Sequence, residues 1–220
     1  MENEPLVISY LQIRKAVGFL GIFLPIILML YSYLIGPCNE IQISLSQYYY
    51  TSAGNLFTGI ICAISFFLFT YKGYHSDNNA PRIASIFGFL TAIFPTNQKG
   101  LVCNFEISPY PFPDYFKDVH TVAAALFFVV LAYISIRLFT KSGKKKDQTP
   151  EKEIRNKIYK ACGYTIIACL ILMAILYLNE SIKAYLASYK PIFVLETIML
   201  WAFGFSWLVK GEFIFEDKSN

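Results

Sequence analysis

Residues 119–140 constrain this chain more than any other stretch. They are apolar enough and long enough to cross a bilayer as a helix, which takes about 20 residues. The front of the run carries Asp114, Lys117, Asp118 and His120, and the back carries Arg137, Lys141, Lys144, Lys145 and Lys146. The two ends therefore differ in kind. The cationic end resists translocation and sets which loops share its side of the membrane. The other gathers titratable groups at the mouth of a helix.

Apolar runs recur along the chain, at 16–35, 52–71, 81–94, 119–140, 161–178 and 191–209, with an amphipathic extension over 150–160 leading into the fifth. The chain is 55% hydrophobic and only 15% charged, against about 25% charged in soluble domains. Clumped apolar runs in so uncharged a chain exclude a water-soluble helical protein. The expected fold is an all-α integral membrane protein: one polytopic domain over 1–220, folded as a six-helix bundle with a small extracytoplasmic cap. Within the first loop, Ile41, Ile43 and Leu45 alternate with Gln42, Ser44 and Ser46. That period of two predicts a short strand, and residues 101–107 are its expected partner. Arg14 and Lys15 ahead of the first run imitate a signal peptide. The run they precede is too long for a secretory core, which takes 7–15 residues, so it is read as a retained helix.

Small residues predict how the helices meet. Gly18, Gly21, Pro25 and Ser32 mark one face of the first helix for a close neighbour. Ser85, Gly88 and Ala92 on the third are expected to sit against the second. The stripe Asn55, Thr58, Cys62 and Ser65 on the second reads as packing before it reads as a polar path.

Charge sets the expected orientation. Six spans place fifteen of the nineteen Lys and Arg on the side of both termini, leaving Lys99, Lys117, Lys183 and Lys190 opposite. Both termini are therefore expected in the cytoplasm, in a plasma or inner membrane. The triplet at 144–146 is a topology signal rather than a nucleic-acid site. Cys38 and Cys103 fall in extracytoplasmic loops, where disulfides persist, and are expected to be bridged.

Chemistry is confined to few residues. The two histidines, His75 and His120, fall on opposite sides, which excludes bis-histidine haem and a three-histidine metal centre. No CxxC or HxxxH spacing supports a metal, and no G-x-S-x-G, Walker loop or H-E-x-x-H is present. No cofactor is expected. Glu196 lies five residues past Pro191, about 7.5 Å into the last helix, where an acid is costly without a partner or a wet cavity. His120 lies at the matching depth in the fourth helix. An outward-facing polar pocket is expected from His120, Glu196, Asn55, Tyr48, Tyr49, Ser46 and Asp118. The plainer readings are structural: an imidazole bonded to a carbonyl, a buried acid held by one hydrogen bond, and Asp118 favouring the helix N-terminus through its dipole.

Ser44-Leu45-Ser46-Gln47-Tyr48 with Asn55-Leu56-Phe57-Thr58-Gly59, and then Val119-His120-Thr121-Val122-Ala123-Ala124-Ala125-Leu126-Phe127-Phe128, resemble stretches of uncharacterised six-transmembrane-helix proteins. They are similar, more distantly, to DRAM/Sfk-type membrane proteins. There an outward serine-containing loop precedes the second helix, and a histidine opens a helix rich in small residues and Phe. This chain lacks the S-D-T-G wording of that loop, so no ligand is carried over. The resemblance implies lipid handling or regulation rather than a defined reaction.

Three functions follow as expectations. The first is binding or handling of a lipid or small amphiphile without turnover, with membrane lipids as partners and no nucleic acid. The second is an intramembrane lipid hydrolase or transferase with His120 as base beside Asp118 or Glu196. The third is a proton-coupled carrier using Glu196. The oligomeric state is left open, a homo-oligomer included.

Overall fold

A computed structural model describes residues 10–36, 38–71, 79–97, 102, 112–113, 116, 118–141 and 150–215. The described chain is helical throughout. Helix α1 spans Tyr10–Leu34, α2 Gly54–Thr70, α3 Asn79–Ile93, α4 Val119–Tyr133, α5 Pro150–Leu178, α6 Glu180–Tyr185 and α7 Pro191–Lys210. A 3-10 segment, Leu45–Tyr50, precedes α2, and α4 runs on into one π-helical turn, Ile134–Leu138.

Four stretches are long and apolar enough to cross a membrane: Leu11–Leu34, Val119–Leu138, Pro150–Leu178 and Ala187–Lys210. The chain is thus a helical membrane protein. The shorter apolar α2 has 17 residues and α3 has 15. At 1.5 Å per residue they measure about 26 and 23 Å, less than the ~30 Å hydrocarbon core. Against the expected runs, α2 is shorter at both ends, while α3 starts two residues earlier and stops one earlier. The chain ahead of α2 turns at 51–53, and α3 stops at Ile93, just before Pro95. The expected amphipathic extension over 150–160 is helical and continuous with α5. The lead-in to α1 is helical from Tyr10.

Glycines set the helix contacts. A Cβ on Gly204 would come 2.6 Å from the Gly18 carbonyl and 2.7 Å from Ile22 Cγ1, so α1 and α7 cross backbone to backbone. Gly21 meets Phe203 and Gly204 there too. This is the neighbour that the small face of the first helix calls for. Gly88 lies against Ser65, joining α3 to α2 as expected, and Gly163 on α5 lies against Ile136 and the Ala132 carbonyl. Ser135 Oγ donates to the Tyr159 carbonyl at 3.0 Å, tying the π turn to α5. With lipid outside, such close approach supplies the packing that water exclusion supplies in soluble proteins.

The strand expected over 41–45 does not form, and no strand occurs among the described residues. The alternation is real, but the partner is a helix. Lys190 Nζ donates to the Ile41 carbonyl, Phe193 N donates to the Ile43 carbonyl at 3.1 Å, and Leu45 N donates to Glu196 Oε2 at 2.5 Å. Every second residue of an extended segment thus meets every third residue of a helix start. Phe193 N is one of the N–H groups a helix leaves unpaired at its N-terminus, so the loop completes α7. Ser44 then ends the extended run, because its Oγ accepts from Gln47 N and starts the 3-10 turn. The intended partner segment, 101–107, lies outside the described residues save Val102, whose N–H reaches Gln42 Oε1 at 3.3 Å.

Candidate functional site

The site forms where the 3-10 segment, the end of α3, the start of α4 and the first turns of α7 meet. Ser46 occupies the second position of the 3-10 segment. Its backbone is held from both sides, since Leu45 N is bound by Glu196 and Gln47 N by Ser44. His120 is the second residue of α4 and is 2% exposed. Its Nδ1 lies 2.7 Å from the Phe94 carbonyl and its Nε2 lies 2.8 Å from Ser46 Oγ. The Glu196 carboxyl comes in beside it, its Oε2 accepting from the neighbouring Leu45 N and its side chain lining the same cavity as Ser46.

Proton counting fixes what this chain of groups contains. A carbonyl only accepts, so Nδ1 carries a hydrogen and donates to Phe94. In a neutral imidazole Nε2 is then the acceptor, and the Ser46 hydroxyl donates to it. The alternative is an imidazolium that donates to both the Phe94 carbonyl and Ser46 Oγ. In either state the imidazole ties the end of α3 to the 3-10 segment.

The Phe94 carbonyl reaches His120 for a local reason. It lies just past the end of α3 at Ile93 and just before Pro95, so it stands outside the helical ladder. The ring of Phe94 is in turn covered by Phe112 and Phe116, with centroids 4.8 and 5.2 Å away.

Beside the network is a cavity of about 40 Å³. Ser46, Thr91 and Glu196 are its polar residues, and Leu24, Phe57 and Phe127 are among its apolar ones. The Thr91 hydroxyl is already bonded to the Phe87 carbonyl at 2.8 Å. Ser46 and Glu196 therefore supply its available polarity. The space admits a few waters or the tip of a chain. A second, larger cavity of about 470 Å³ opens between α3 and α4, lined by Ile83, Val129 and Tyr133 among others.

The structure gathers three of the expected site residues, Ser46, His120 and Glu196. Tyr48 is buried nearby, its ring 6.4 Å from that of Phe193. Burial pushes its hydroxyl above the ordinary value of 10.0. Tyr49 stacks edge-on against Tyr50, outside the cavity lining. Asn55 and Asp118 are exposed, and Asp118 makes no side-chain cap bond to α4. In place of Asn55, Phe57 and Ile61 are the α2 residues facing the cavity. Backbone partners at Leu45 and Phe94 were missed, and Pro95, which ends α3, was the signal for the second.

Cys38 is buried, and Gln42 Nε2 lies 3.4 Å from its sulfur. Cys103 lies outside the described residues, and no disulfide joins two described cysteines. His75 and Asp114 also lie outside them. No group of three or more potential metal ligands occurs among the described residues. No family model matches the chain, and neither a curated protein nor a solved structure matches it.

Proposed function

We propose that the chain is a six-span membrane protein that binds a lipid or small amphiphile by its polar end, at Ser46, His120 and Glu196, without turnover. One observation carries this reading. Ser46 and Glu196, from separate segments, line a mostly apolar cavity, and the buried His120 stands behind Ser46 with Nε2 2.8 Å from its Oγ. The enclosed volume receives a few heavy atoms of the ligand, and its chain lies between the helices. The resemblance to DRAM/Sfk-type proteins points the same way.

The orientation belongs to the same proposal. Both termini are cytoplasmic, the 3-10 segment faces the other side, and a Cys38–Cys103 bridge ties the loop over 36–51 to the loop over 95–118. The fifteen-to-four charge bias supports it, as does the stitching of residues 41–45 to α7.

Native mass spectrometry of the full chain released from bilayer nanodiscs tests the binding. A co-purifying amphiphile is expected in wild type and lost in Ser46→Ala and Glu196→Gln. The same adducts in all three would end the proposal.

A specific contact favours a second reading, acyl hydrolysis or transfer. Ser46 Oγ and His120 Nε2 stand as nucleophile and base, with a carbonyl orienting the base, as such pairs require. A fluorophosphonate probe separates the two, since labelling of Ser46 that disappears in His120→Gln supports turnover. Carriage of a substrate with protons would instead appear as flux into proteoliposomes that Glu196→Gln abolishes.

A further inference from the structure

The hydrogens around the Ser46 cavity are already committed elsewhere, and this limits what can enter it. Ser46, Thr91 and Glu196 are the polar side chains on its wall among the described residues, and Leu24, Phe57 and Leu200 belong to the apolar remainder. A hydroxyl has one hydrogen to give. Thr91 gives its own to the Phe87 carbonyl at 2.8 Å. Ser46 faces His120 Nε2 at 2.8 Å, while Nδ1 on the far side of the ring is 2.7 Å from the Phe94 carbonyl. The ring is 2% exposed, and burying it as an ion costs more than burying it neutral. In the neutral ring Nδ1 donates to Phe94, and Nε2 takes the Ser46 hydrogen.

Ser46 therefore turns only lone pairs toward the cavity. Glu196 adds a second acceptor. Leu45 N donates to its Oε2 at 2.5 Å, and a carboxylate has about four lone-pair sites, so acceptor capacity remains. The two acceptors come from different segments, the 3-10 turn and α7, and meet at one space. A ligand tip that donates is matched there, and it selects the carboxylate form of Glu196. A tip with lone pairs alone leaves acceptors facing acceptors away from water, which is costly. A carboxylate or phosphate also meets the like charge of Glu196. The enclosed volume of about 40 Å³ suits a small tip rather than a phosphodiester headgroup.

We propose that the amphiphile bound at this site carries a hydrogen-bond donor, a hydroxyl or a primary ammonium, at the tip of an apolar chain. This rests on the binding reading above and gives its ligand a chemical class.

The test uses the full chain in phosphatidylcholine nanodiscs, with a diazirine derivative of 1-dodecanol as photoprobe and labelled peptides mapped by mass spectrometry. The competitors share one chain and differ at the tip: 1-dodecanol, dodecylamine, methyl dodecyl ether and dodecanoate, compared at equal mole fraction in the bilayer. The probe labels the segments around the cavity. The alcohol or the amine displaces it at about one-tenth of the mole fraction the ether needs, the worth of one hydrogen bond, and dodecanoate is no better than the ether. An amine ahead of the alcohol identifies the ammonium, and any other order of those two the hydroxyl. Glu196→Gln leaves an acceptor for Leu45 N but turns an amide N–H toward the ligand, and Ser46→Ala removes lone pairs. Each brings the alcohol and the ether to within about threefold of one another. An ether or dodecanoate that displaces the probe as well as the alcohol does overturns the donor assignment and leaves the binding reading standing. A lead unchanged in both variants overturns the assignment too. Labelling that maps away from the cavity, or that no competitor reduces, ends both. The wild-type order requires no substitution, so it decides the assignment even where a variant folds poorly.

Discussion

Replacing His120 by Leu removes both bonds of the imidazole in one step. The Phe94 carbonyl loses its Nδ1–H donor, and Ser46 loses its Nε2 acceptor. In a soluble core each buried group left unpaired costs about 1–3 kcal/mol. In a bilayer the cost is smaller, averaging about 0.6 kcal/mol per bond, because the unfolded chain finds other partners there. Two bonds set a floor of roughly 1.2 kcal/mol by the membrane figure and a ceiling of about 6 by the soluble one. Ser46 borders the cavity and its hydroxyl can turn to it, so the loss falls mainly on the Phe94 carbonyl. The expected destabilisation is about 2 kcal/mol. His120→Asn restores an N–H close to the position of Nδ1 and recovers the Phe94 bond, so it should lose less than Leu. Unfolding by sodium dodecyl sulfate measures both variants. The protein's two tryptophans, Trp201 and Trp207, lie on α7 and report its release. A Leu variant as stable as wild type, or more stable than Asn, would refute the view that the imidazole is held by these two bonds.

Further outcomes follow from the same geometry. Gly204→Ala should destabilise the α1–α7 crossing by about 1–3 kcal/mol, because its Cβ meets backbone that cannot move aside; Gly59→Ala, with nothing within 4 Å, is the control and should be neutral or better. Burial raises Tyr48 above 10.0, so the unfolded chain loses that proton first. Its contribution to stability is complete below that pH and declines as pH climbs past it, and Tyr48→Phe should flatten this part of the unfolding profile. Thiol labelling of intact protein without reductant should spare Cys38 and Cys103; modification of both means the bridge is absent. A C-terminal reporter active only in the cytoplasm should report, and an externally accessible C-terminus would reverse the orientation.

Helix faces were legible because small residues have a geometric consequence. Gly18 and Gly21 called for a neighbour at close range, and α7 supplies Gly204 and Phe203. Ser85, Gly88 and Ala92 are buried, and Gly88 lies against Ser65. The expected matching depth of Glu196 and His120 was useful as well, because the two meet adjacent residues of one segment, Leu45 and Ser46. The partner of an alternating segment was not legible. Period two says that alternate backbone groups face one way, and it is silent on whether they meet a strand or a helix end. Asn55 failed for a related reason. A stripe of small polar residues defines a face but not the sense in which that face turns, and Asn55 is exposed while Ser65, on the same stripe, is fully buried.

The site's precision rests on unfinished helix ends rather than on side chains alone. The end of α3 before Pro95 leaves the Phe94 carbonyl without a helical donor, and the imidazole of His120 takes it. The start of α7 has N–H groups without helical acceptors, and the Ile43 carbonyl fills one of them. Residues 41–46 thus touch both ends at once, through Ile43 and Leu45 to α7 and through Ser46 to His120. A shift of α7 along its axis would pull on Leu45, and so on Ser46, before any ligand contact changed. The polar network therefore registers the relative position of α7 and the α3–α4 pair. Under the proposed reading, that coupling is how a ligand between those helices would be registered without turnover.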